Sequence, residues 1–333
     1  MTNSENKKVI LLIDALNTFF RSYAVDPSIS SKGEHIGGCK GFLKQINKFC
    51  REMAPDEIHV VWDGEGGSKK RKTMKKDYKE GRKAVNPKNY NRNIEIPQTD
   101  EEIKENKVWQ LKRLMEYLNE TPIKQYLVDN VEADDIIAML SNKYFKGYNK
   151  VIISNDKDFL QLADHETIVY RPAVKGVMTR DDIIEKYEVH PENMALSRAI
   201  IGDSSDNLPG VPGIGFKTLV KVLPSISGSA TMMLEDVMNA MSDVEEKDRL
   251  KAHNSILEHK DRIDLNYRMM QLYNPKMGHA TVRIVEQVVE EELYNYSRFE
   301  LEKMMIEDGF GEYNWNAMHA RFRGMLYDQK NED

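Results

Sequence analysis

The sequence has little cysteine and no apolar run long enough to cross a membrane. Only two of its 333 residues are cysteines, Cys39 and Cys50, and they lack the spacing of a metal-binding motif. Two cysteines cannot build the disulfide framework of a small secreted protein. The longest apolar run near the start covers residues 9–13 and stops at Asp14, which is too short for a membrane span or a signal peptide. These absences predict a soluble, cytoplasmic protein with no membrane partner.

The chain also lacks a positive net charge, because its 48 Lys and Arg residues are outnumbered by 54 Asp and Glu residues. The net charge of −6 argues by itself against a polyanionic partner. The basic residues are unevenly distributed, however, since nine of them lie between Lys69 and Lys83 against only Asp77 and Glu80, a local charge of +7. Acidic residues concentrate elsewhere, at residues 244–246, 286–292 and 331–333. This segregation predicts one surface that faces DNA.

Short apolar runs alternate with helical patterns through the first half of the chain. Strands are predicted at residues 8–13, 57–62, 123–128 and 150–154, with a hairpin formed by residues 167–170 and 177–179. Thr99 and Glu102 have the spacing of a capping box at the start of one helix, and residues 133–144 form the next. The alternation predicts an α/β fold with a mixed, mostly parallel central sheet flanked by helices.

Composition divides the chain into an α/β domain at residues 1–180 and a helical region at residues 181–333. Beyond Pro224, Met and Leu recur at helical spacing among many charges, which predicts a helical C-terminal subdomain at residues 225–333. Residues 78–100 are polar, rich in Asn and Lys and poor in apolar periodicity. They are predicted to form a mobile excursion from the sheet within a basic region at about residues 66–105.

Nine acidic residues lie where segments of the predicted fold should converge. Asp14, Asp63 and Asp156 follow predicted strands, and ligands of open α/β sheets bind at the carboxyl ends of the strands. Many like charges at one edge repel unless protons or cations neutralise them, and Mg²⁺ or Mn²⁺ prefers such oxygen ligands. Two such ions can activate water for phosphodiester hydrolysis. The candidate ligands are Asp14, Asp63, Glu132, Asp134, Asp135, Asp156, Asp158, Asp203 and Asp206.

Single members of this set have a simpler interpretation. Asp134 and Asp135 would stabilise the start of a helix through its dipole, and Asp203 or Asp206 could cap one. The argument for metal ligands therefore depends on the whole set.

A glycine-rich segment at residues 208–218 leads into an apolar helix and is typical of a hairpin between two helices. Gly213 and Gly215 would let the backbone approach a DNA phosphate closely, with Lys217 and Thr218 at the start of the following helix. An ordinary turn between helices is the alternative, but the segment directly follows Asp203 and Asp206. The position favours a phosphate-binding hairpin beside a metal site.

Six segments together resemble, in order, the motifs of the 5′-nuclease or flap endonuclease family. This family includes phage 5′-3′ exonucleases and the N-terminal nuclease domain of bacterial DNA polymerase I. The matching segments lie at residues 13–14, 61–63, 78–82, 131–135, 154–159 and 201–218. The resemblance implies a helical arch over the active site, a helix-hairpin-helix module at about residues 191–224 that binds duplex DNA, and two Mg²⁺-type ions.

The resemblance also implies roles for individual residues. One ion would be bound mainly by Asp14, Glu132 and Asp134, and the other mainly by Asp156, Asp158 and Asp203. Tyr78, Lys79 and Arg82 would be catalytic residues at the base of the arch. Independently of the resemblance, the local positive charge predicts that Lys69, Lys70, Arg71 and Lys72 bind the DNA. Three departures from the family pattern remove no ligand: Ala15 in place of Gly, Asn155 in place of Thr or Gly, and a more basic segment at residues 69–76.

The predicted function is therefore a structure-specific 5′-nuclease acting on 5′-flap, nicked or RNA-primed DNA, in replication primer removal or repair. The expected setting is a bacterial cytoplasm, where the protein could be phage-encoded. One alternative is a non-catalytic DNA-binding module of the same fold, which the complete set of nine acids disfavours. Another is a related metal-dependent ribonuclease, which need not carry the glycine-rich hairpin. A replication protein that binds residues 225–333 is left open as a further partner.

Overall fold

A six-stranded sheet forms the centre of the protein, whose computed structural model describes residues 7–82, 85–87, 99–275, 277–292 and 296–332. Its strands are β1 (Val9–Asp14), β2 (Glu57–Asp63), β3 (Lys124–Val128), β4 (Asn149–Ile153), β5 (Thr167–Arg171) and β6 (Gly176–Met178). They lie in the order β3-β2-β1-β4-β5-β6, and only β6 runs antiparallel to its neighbour. The predicted fold class is confirmed, and each predicted strand end lies within one residue of the observed one.

Both faces of the sheet are covered at its centre, because the side chains of the central strands β1 and β4 alternate between two apolar cores. In β1, Ile10 and Leu12 belong to one core and Leu11 and Ile13 to the other, and all four are almost fully buried. A parallel sheet that is covered on both faces shows this near-continuous apolar run in its central strands. Helices must therefore pack on both sides of it.

The helices follow the strands in the manner of a doubly wound fold. They are α1 (Ala15–Val25), α2 (Gly37–Met53), α3 (Lys69–Met74), α4 (Asp100–Asn119), α5 (Ala133–Met139), α6 (Arg180–Tyr187), α7 (Met194–Ile201), α8 (Phe216–Val222), α9 (Leu234–Ser242), α10 (Lys251–Glu258), α11 (Lys260–Met270), α12 (His279–Glu290), α13 (Arg298–Glu307) and α14 (Asn316–Glu332). The capping box of α4 is confirmed, with Glu102 N–H donating to Thr99 Oγ1 at 3.2 Å and Thr99 N–H to Glu102 Oε2 at 2.7 Å. Within the described ranges, no helix is long and apolar enough to cross a membrane.

Two short strands interrupt the region that was predicted to be wholly helical. Gly202–Asp203 (β7) pairs antiparallel with Leu208–Pro209 (β8) between α7 and the glycine-rich hairpin. The region is helical as predicted apart from this pair, which the sequence could not indicate because two-residue strands are too short to show alternation.

The last two helices do not join the predicted C-terminal subdomain at residues 225–333. Helices α9 to α12 contribute to the core on one face of the sheet, whereas α13 and α14 contribute to the core on the other. Phe322 of α14 is fully buried together with Phe42 of α2. The side chain of Asn47 donates to the Asn314 carbonyl at 3.1 Å and accepts from Met318 N–H at 2.9 Å. Residues 296–332 thus complete the α/β domain, which corrects the predicted boundary.

The predicted arch is described only at its two ends, α3 and the start of α4. The prediction of a mobile excursion at residues 78–100 falls largely on residues 83–84 and 88–98, which lie outside the described residues.

Candidate active site at the carboxyl edge of the sheet

The carboxyl ends of the three adjacent strands β2, β1 and β4 bring acidic residues to one edge. Asp14 ends β1, and its side chain accepts from Asn17 N–H at 3.2 Å and from Ser154 Oγ, just after β4, at 2.8 Å. Asp63 ends β2 and accepts from Ala133 N–H, at the start of α5, at 2.7 Å. These hydrogen bonds fix each carboxylate while leaving further oxygen lone pairs available.

A cavity of about 740 Å³ opens at this edge. Five of the nine predicted ligands line it, together with two of the predicted catalytic residues and part of α1. They are Asp14, Asp63, Glu132, Asp134, Asp156, Lys79 and Arg82, facing Asn17, Phe20 and Arg21. The cavity therefore places acidic groups and basic groups around one space.

The electrostatics of this edge of the sheet favour the binding of a cation. Burial, followed by repulsion from Asp63, raises the pKa of Asp14 to about 7. Burial also raises the pKa values of Asp63 and Asp156 above the ordinary range for aspartate. A cation near these groups would stabilise their ionised forms. The donor set consists wholly of carboxylate oxygens, so it fits hard divalent cations such as Mg²⁺ or Mn²⁺.

Within the part of the chain that the structure describes, no three His, Cys, Asp or Glu side chains are grouped so that they could hold a metal ion as they stand. Basic side chains contact several of the carboxylates. Lys79 Nζ contacts Glu132, and Arg71 contacts Glu132, Asp134 and Asp135. Cation binding at this edge therefore requires the acidic side chains to exchange partners.

Asp158 and Asp203, two further predicted ligands, are joined by Arg198. Arg198 Nε donates to Asp158 Oδ1 at 2.7 Å, and Nη2 donates to Asp203 Oδ2 at 2.6 Å. Burial and the charge of Asp156 raise the pKa of Asp158 to about 7 despite this partner. Sequence reasoning missed Arg198, although a single charge within the apolar helix α7 was a usable signal.

Asp206 does not line the cavity but holds the segment that carries the predicted catalytic residues. Its carboxylate accepts from the Tyr78 hydroxyl at 3.2 Å and contacts Arg82, and its carbonyl accepts from Lys79 N–H at 3.3 Å. Tyr78 is 3% exposed and packs against Leu208. The structure thus places Tyr78 in the core next to Asp206, and its predicted catalytic role stays a prediction.

The basic run on α3 divides into two kinds of residue. Lys69, Lys70 and Lys72 are exposed, as a DNA-binding surface requires, but Arg71 is only 6% exposed. The inclusion of Arg71 among the DNA-binding residues is corrected, because its guanidinium group is committed to buried carboxylates. The helical period explains the difference, because successive side chains of a helix point in different directions and only Arg71 of this run points into the protein.

The glycine-rich hairpin follows β8 and presents open backbone at its tip. A Cβ atom at Gly213 or Gly215 would meet no atom within 4 Å, and Gly213 has a φ of +77° that favours glycine. Lys217 is exposed at the first turn of α8, and Thr218 is half-buried beside it. Asn207, just before β8, donates from Nδ2 to the carbonyls of Asp77 and Glu80 at 2.9 and 2.8 Å. The hairpin is therefore tied to the segment that carries Lys79 and Arg82.

Comparison with known proteins finds two family models that together match most of the chain. The model described as 5′-3′ exonuclease, N-terminal resolvase-like domain, matches residues 9–188, and the model described as 5′-3′ exonuclease, C-terminal SAM fold, matches residues 189–282. A 5′-3′ exonuclease of Aquifex aeolicus is 30% identical over 80% of this chain and 82% of its own length. DNA polymerase I of Bacillus caldotenax is 30% identical over 79% of this chain, which spans 28% of that polymerase.

Solved structures share the fold at lower identity. A bacteriophage T5 flap endonuclease in complex with DNA and metal ions is 17% identical, with a TM-score of 0.64 over 90% of this chain and 97% of that chain. A T5 5′-exonuclease with bound zinc is 19% identical, with a TM-score of 0.60 over 90% of this chain and 98% of that chain.

Proposed function

The chain belongs to the 5′-3′ exonuclease family, and on that premise we propose that it is a structure-specific 5′-nuclease that hydrolyses 5′-flap, nicked or RNA-primed DNA. The observation that carries the proposal is the cavity at the carboxyl edge of the sheet, where five acidic residues face Lys79 and Arg82. Acidic groups alone would repel a phosphodiester, and basic groups alone would bind it without cleaving it. Their combination is what metal-assisted phosphodiester hydrolysis needs.

Asp14, Asp63, Glu132, Asp134 and Asp156 would hold a divalent cation within this cavity, and Asp158 and Asp203 would support a second one nearby. Two such ions supply an activated water and stabilise the leaving oxygen of the phosphodiester. Ser154 and the N–H groups of Asn17 and Ala133 orient the acidic side chains by the hydrogen bonds described above. Such oriented ligands lose little conformational freedom when a cation binds.

Lys79 and Arg82 would stabilise the negative charge that develops on the phosphate during cleavage. Both line the cavity, and the contacts of Asp206 and Asn207 fix the segment on which they lie. Lys79 also has a φ of +57°, a conformation that a lysine rarely adopts unless its surroundings impose it. The segment thus holds both basic residues at the cavity, where a phosphate would replace Glu132 and Asp206 as their partners.

Binding of the DNA duplex would use the backbone and not the bases. The open tip at Gly213 and Gly215 and the exposed Lys217 suit a phosphate, and the exposed Lys69, Lys70 and Lys72 of α3 provide a second positive surface. Phosphate contacts carry no sequence information. The substrate would therefore be selected by its shape, which agrees with action at flaps, nicks and primer ends.

Purified protein incubated with Mg²⁺ and three labelled substrates tests the function. A 5′-flap duplex, a nicked duplex and an RNA-primed duplex should each lose nucleotides or short fragments from the 5′ side, and a chelator should stop all three reactions. A single-stranded RNA that is cut faster than every duplex would instead favour the ribonuclease alternative. Binding of the flap duplex without cleavage in Mg²⁺ or Mn²⁺ would favour the non-catalytic module.

Replacing Gly215 by Val should weaken duplex binding about equally for all sequences while leaving the protein folded. The new side chain would project into open space at the hairpin tip, where it would keep a phosphate from the backbone. Fluorescence anisotropy with two duplexes of unrelated sequence measures the effect, and circular dichroism checks the fold. Gly278 serves as the matched control, because a Cβ atom there also meets nothing within 4 Å. Equal affinity for the Gly215→Val, Gly278→Val and unaltered proteins would reduce the hairpin to a structural turn.

Two predictions about the cellular setting stay open to experiment. The protein would act in a bacterial cytoplasm, and a replication protein would bind within residues 225–333. Phe299 and Ile306 of α13 are 71% and 76% exposed and lie seven residues apart, on one face of the helix. That face is where such a partner should first be sought.

A further inference from the structure

Arg71 occupies the point at which three of the acidic side chains converge. Nη1 contacts Glu132 Oε2 and Asp134 Oδ1, the latter at 3.1 Å, and Nη2 contacts Asp134 Oδ2 at 3.0 Å and Asp135 Oδ1 at 3.2 Å. Nε donates to the Met269 carbonyl at 2.9 Å. The guanidinium group therefore has a partner for each of its nitrogen atoms while it is shielded from water.

We propose that Arg71 is a built-in counter-cation that competes with the divalent cations for Glu132 and Asp134, and so sets the affinity of the metal centre. The proposal rests on the proposed function, since it assumes that Glu132 and Asp134 are metal ligands. It adds a role for a residue that neither binds substrate nor belongs to the ligand set.

The charges around Arg71 explain why the protein needs such a group. Glu132 is 4% exposed, and buried carboxylates that face one another are strongly destabilising unless they are paired. Arg71 pairs with Glu132 and Asp134, and Lys79 pairs with Glu132, so the two basic residues supply this compensation where no metal is bound.

Competition follows from the oxygen atoms that Arg71 occupies. Glu132 uses Oε2 for Arg71 and Oε1 for Lys79, and Asp134 uses both of its oxygens for Arg71. A divalent cation needs these same oxygens, and it repels a guanidinium group a few ångströms away. Cation binding must therefore weaken the contacts of Arg71 with these two acids.

When a cation binds, Arg71 can keep its position and one of its partners. A second cavity, of about 460 Å³, adjoins it and is lined by Asn130, Tyr267 and Gln271, and Asp135 shares its wall. Of the three acids that Arg71 contacts, Asp134 lines only the first cavity, Glu132 lines both, and Asp135 lines only the second. Asp135 is accordingly the partner that Arg71 would keep.

The test measures metal affinity and stability without DNA. Mn²⁺ binding, followed by electron paramagnetic resonance, should become about tenfold tighter in Arg71→Gln, because one positive charge next to the ligands is removed. The melting temperature without metal should fall, and saturating Mg²⁺ should raise it by more than in the unaltered protein. Arg71→Lys, which keeps the charge but not the forked geometry, should bind Mn²⁺ with an affinity between the two.

Arg113→Gln is the matched control, because Arg113 pairs with Asp308 at 2.5 Å in a half-buried contact between α4 and the end of α13. It should lower the melting temperature without changing Mn²⁺ affinity. Equal or weaker Mn²⁺ binding in both folded Arg71 variants would overturn the inference and make Arg71 a residue that positions the ligands. Absence of Mn²⁺ binding in the unaltered protein would instead overturn the metal centre itself. That result is distinguishable from failure of the inference, because it does not depend on any Arg71 variant.

Discussion

Replacing Asp14 by Asn should reduce turnover by at least about a thousandfold and at the same time stabilise the metal-free protein. The loss follows from removal of a carboxylate that ends the central strand and lines the cavity. The gain follows from burial and repulsion by Asp63, which raise the pKa of Asp14 to about 7 and so disfavour its charge in the folded state. Asparagine keeps the size of the side chain and can still accept from Asn17 N–H.

The two effects have separate measurements and a defined pH dependence. Single-turnover cleavage of a 5′-flap duplex in Mg²⁺ reports the first effect, and thermal unfolding in chelator reports the second. Because the folded-state pKa is raised, the penalty in the unaltered protein is complete above about pH 7 and fades as the pH falls toward the unfolded-state value of 3.8. The variant should therefore melt higher at pH 8, by a margin that shrinks at pH 5. Cleavage at the unaltered rate would remove Asp14 from the ligand set, and a lower melting temperature at pH 8 would contradict the electrostatic argument.

Replacing Lys79 by Ala should lower the single-turnover rate on the order of a hundredfold at saturating enzyme, DNA and Mg²⁺. Lys79 lines the cavity opposite Asp14, and its Nζ lies 5.0 Å from the centre of the Tyr78 ring, which limits its freedom. A group held in this way stabilises charge in the transition state at little cost in reorganisation. Affinity for DNA should change far less than the rate, because one phosphate contact among many contributes little to binding.

Lys75→Ala provides the comparison within the same segment. Lys75 contacts the exposed Asp77 and does not line the cavity, so its removal should leave the rate close to that of the unaltered protein. Equal rates for the two variants and the unaltered protein would show that Lys79 has no part in cleavage. Saturating Mg²⁺ is essential, since Lys79 also contacts Glu132 and its loss changes the charge around that acid.

The main features of the fold and the convergence of the first acids were predictable for a simple reason. Strands such as β1 are short, apolar and buried on both faces, so their local pattern agrees with their place in the fold. Asp14 and Asp63 directly follow such strands, and adjacent parallel strands must end at one edge of the sheet. Here local sequence and global topology carry the same information.

Contacts between distant segments were not predictable from the sequence. Arg71 is 61 residues from Glu132, and Arg198 is 40 residues from Asp158, so neither pair has a local signature. The close approach of Gly202 and Gly210 was missed for the same reason. It leaves no room for a side chain, because a Cβ atom on Gly210 would lie 1.9 Å from the Ile201 carbonyl oxygen. Met and Leu at helical spacing predicted helices beyond Pro224, but such spacing cannot tell which face of the sheet a helix will cover.

The packing of α13 and α14 against α2 has a consequence for the order in which the chain is made. The sheet and every candidate ligand are synthesised before residue 296, yet one face of that sheet finds its last apolar neighbours, including Trp315 and Phe322, only afterwards. A nascent chain that has reached only residue 296 therefore carries every candidate ligand on a sheet with one incompletely covered face. Incompletely covered apolar surface is prone to association with other chains. Emergence of residues 296–332 from the ribosome is thus the step that allows this face of the sheet to be covered.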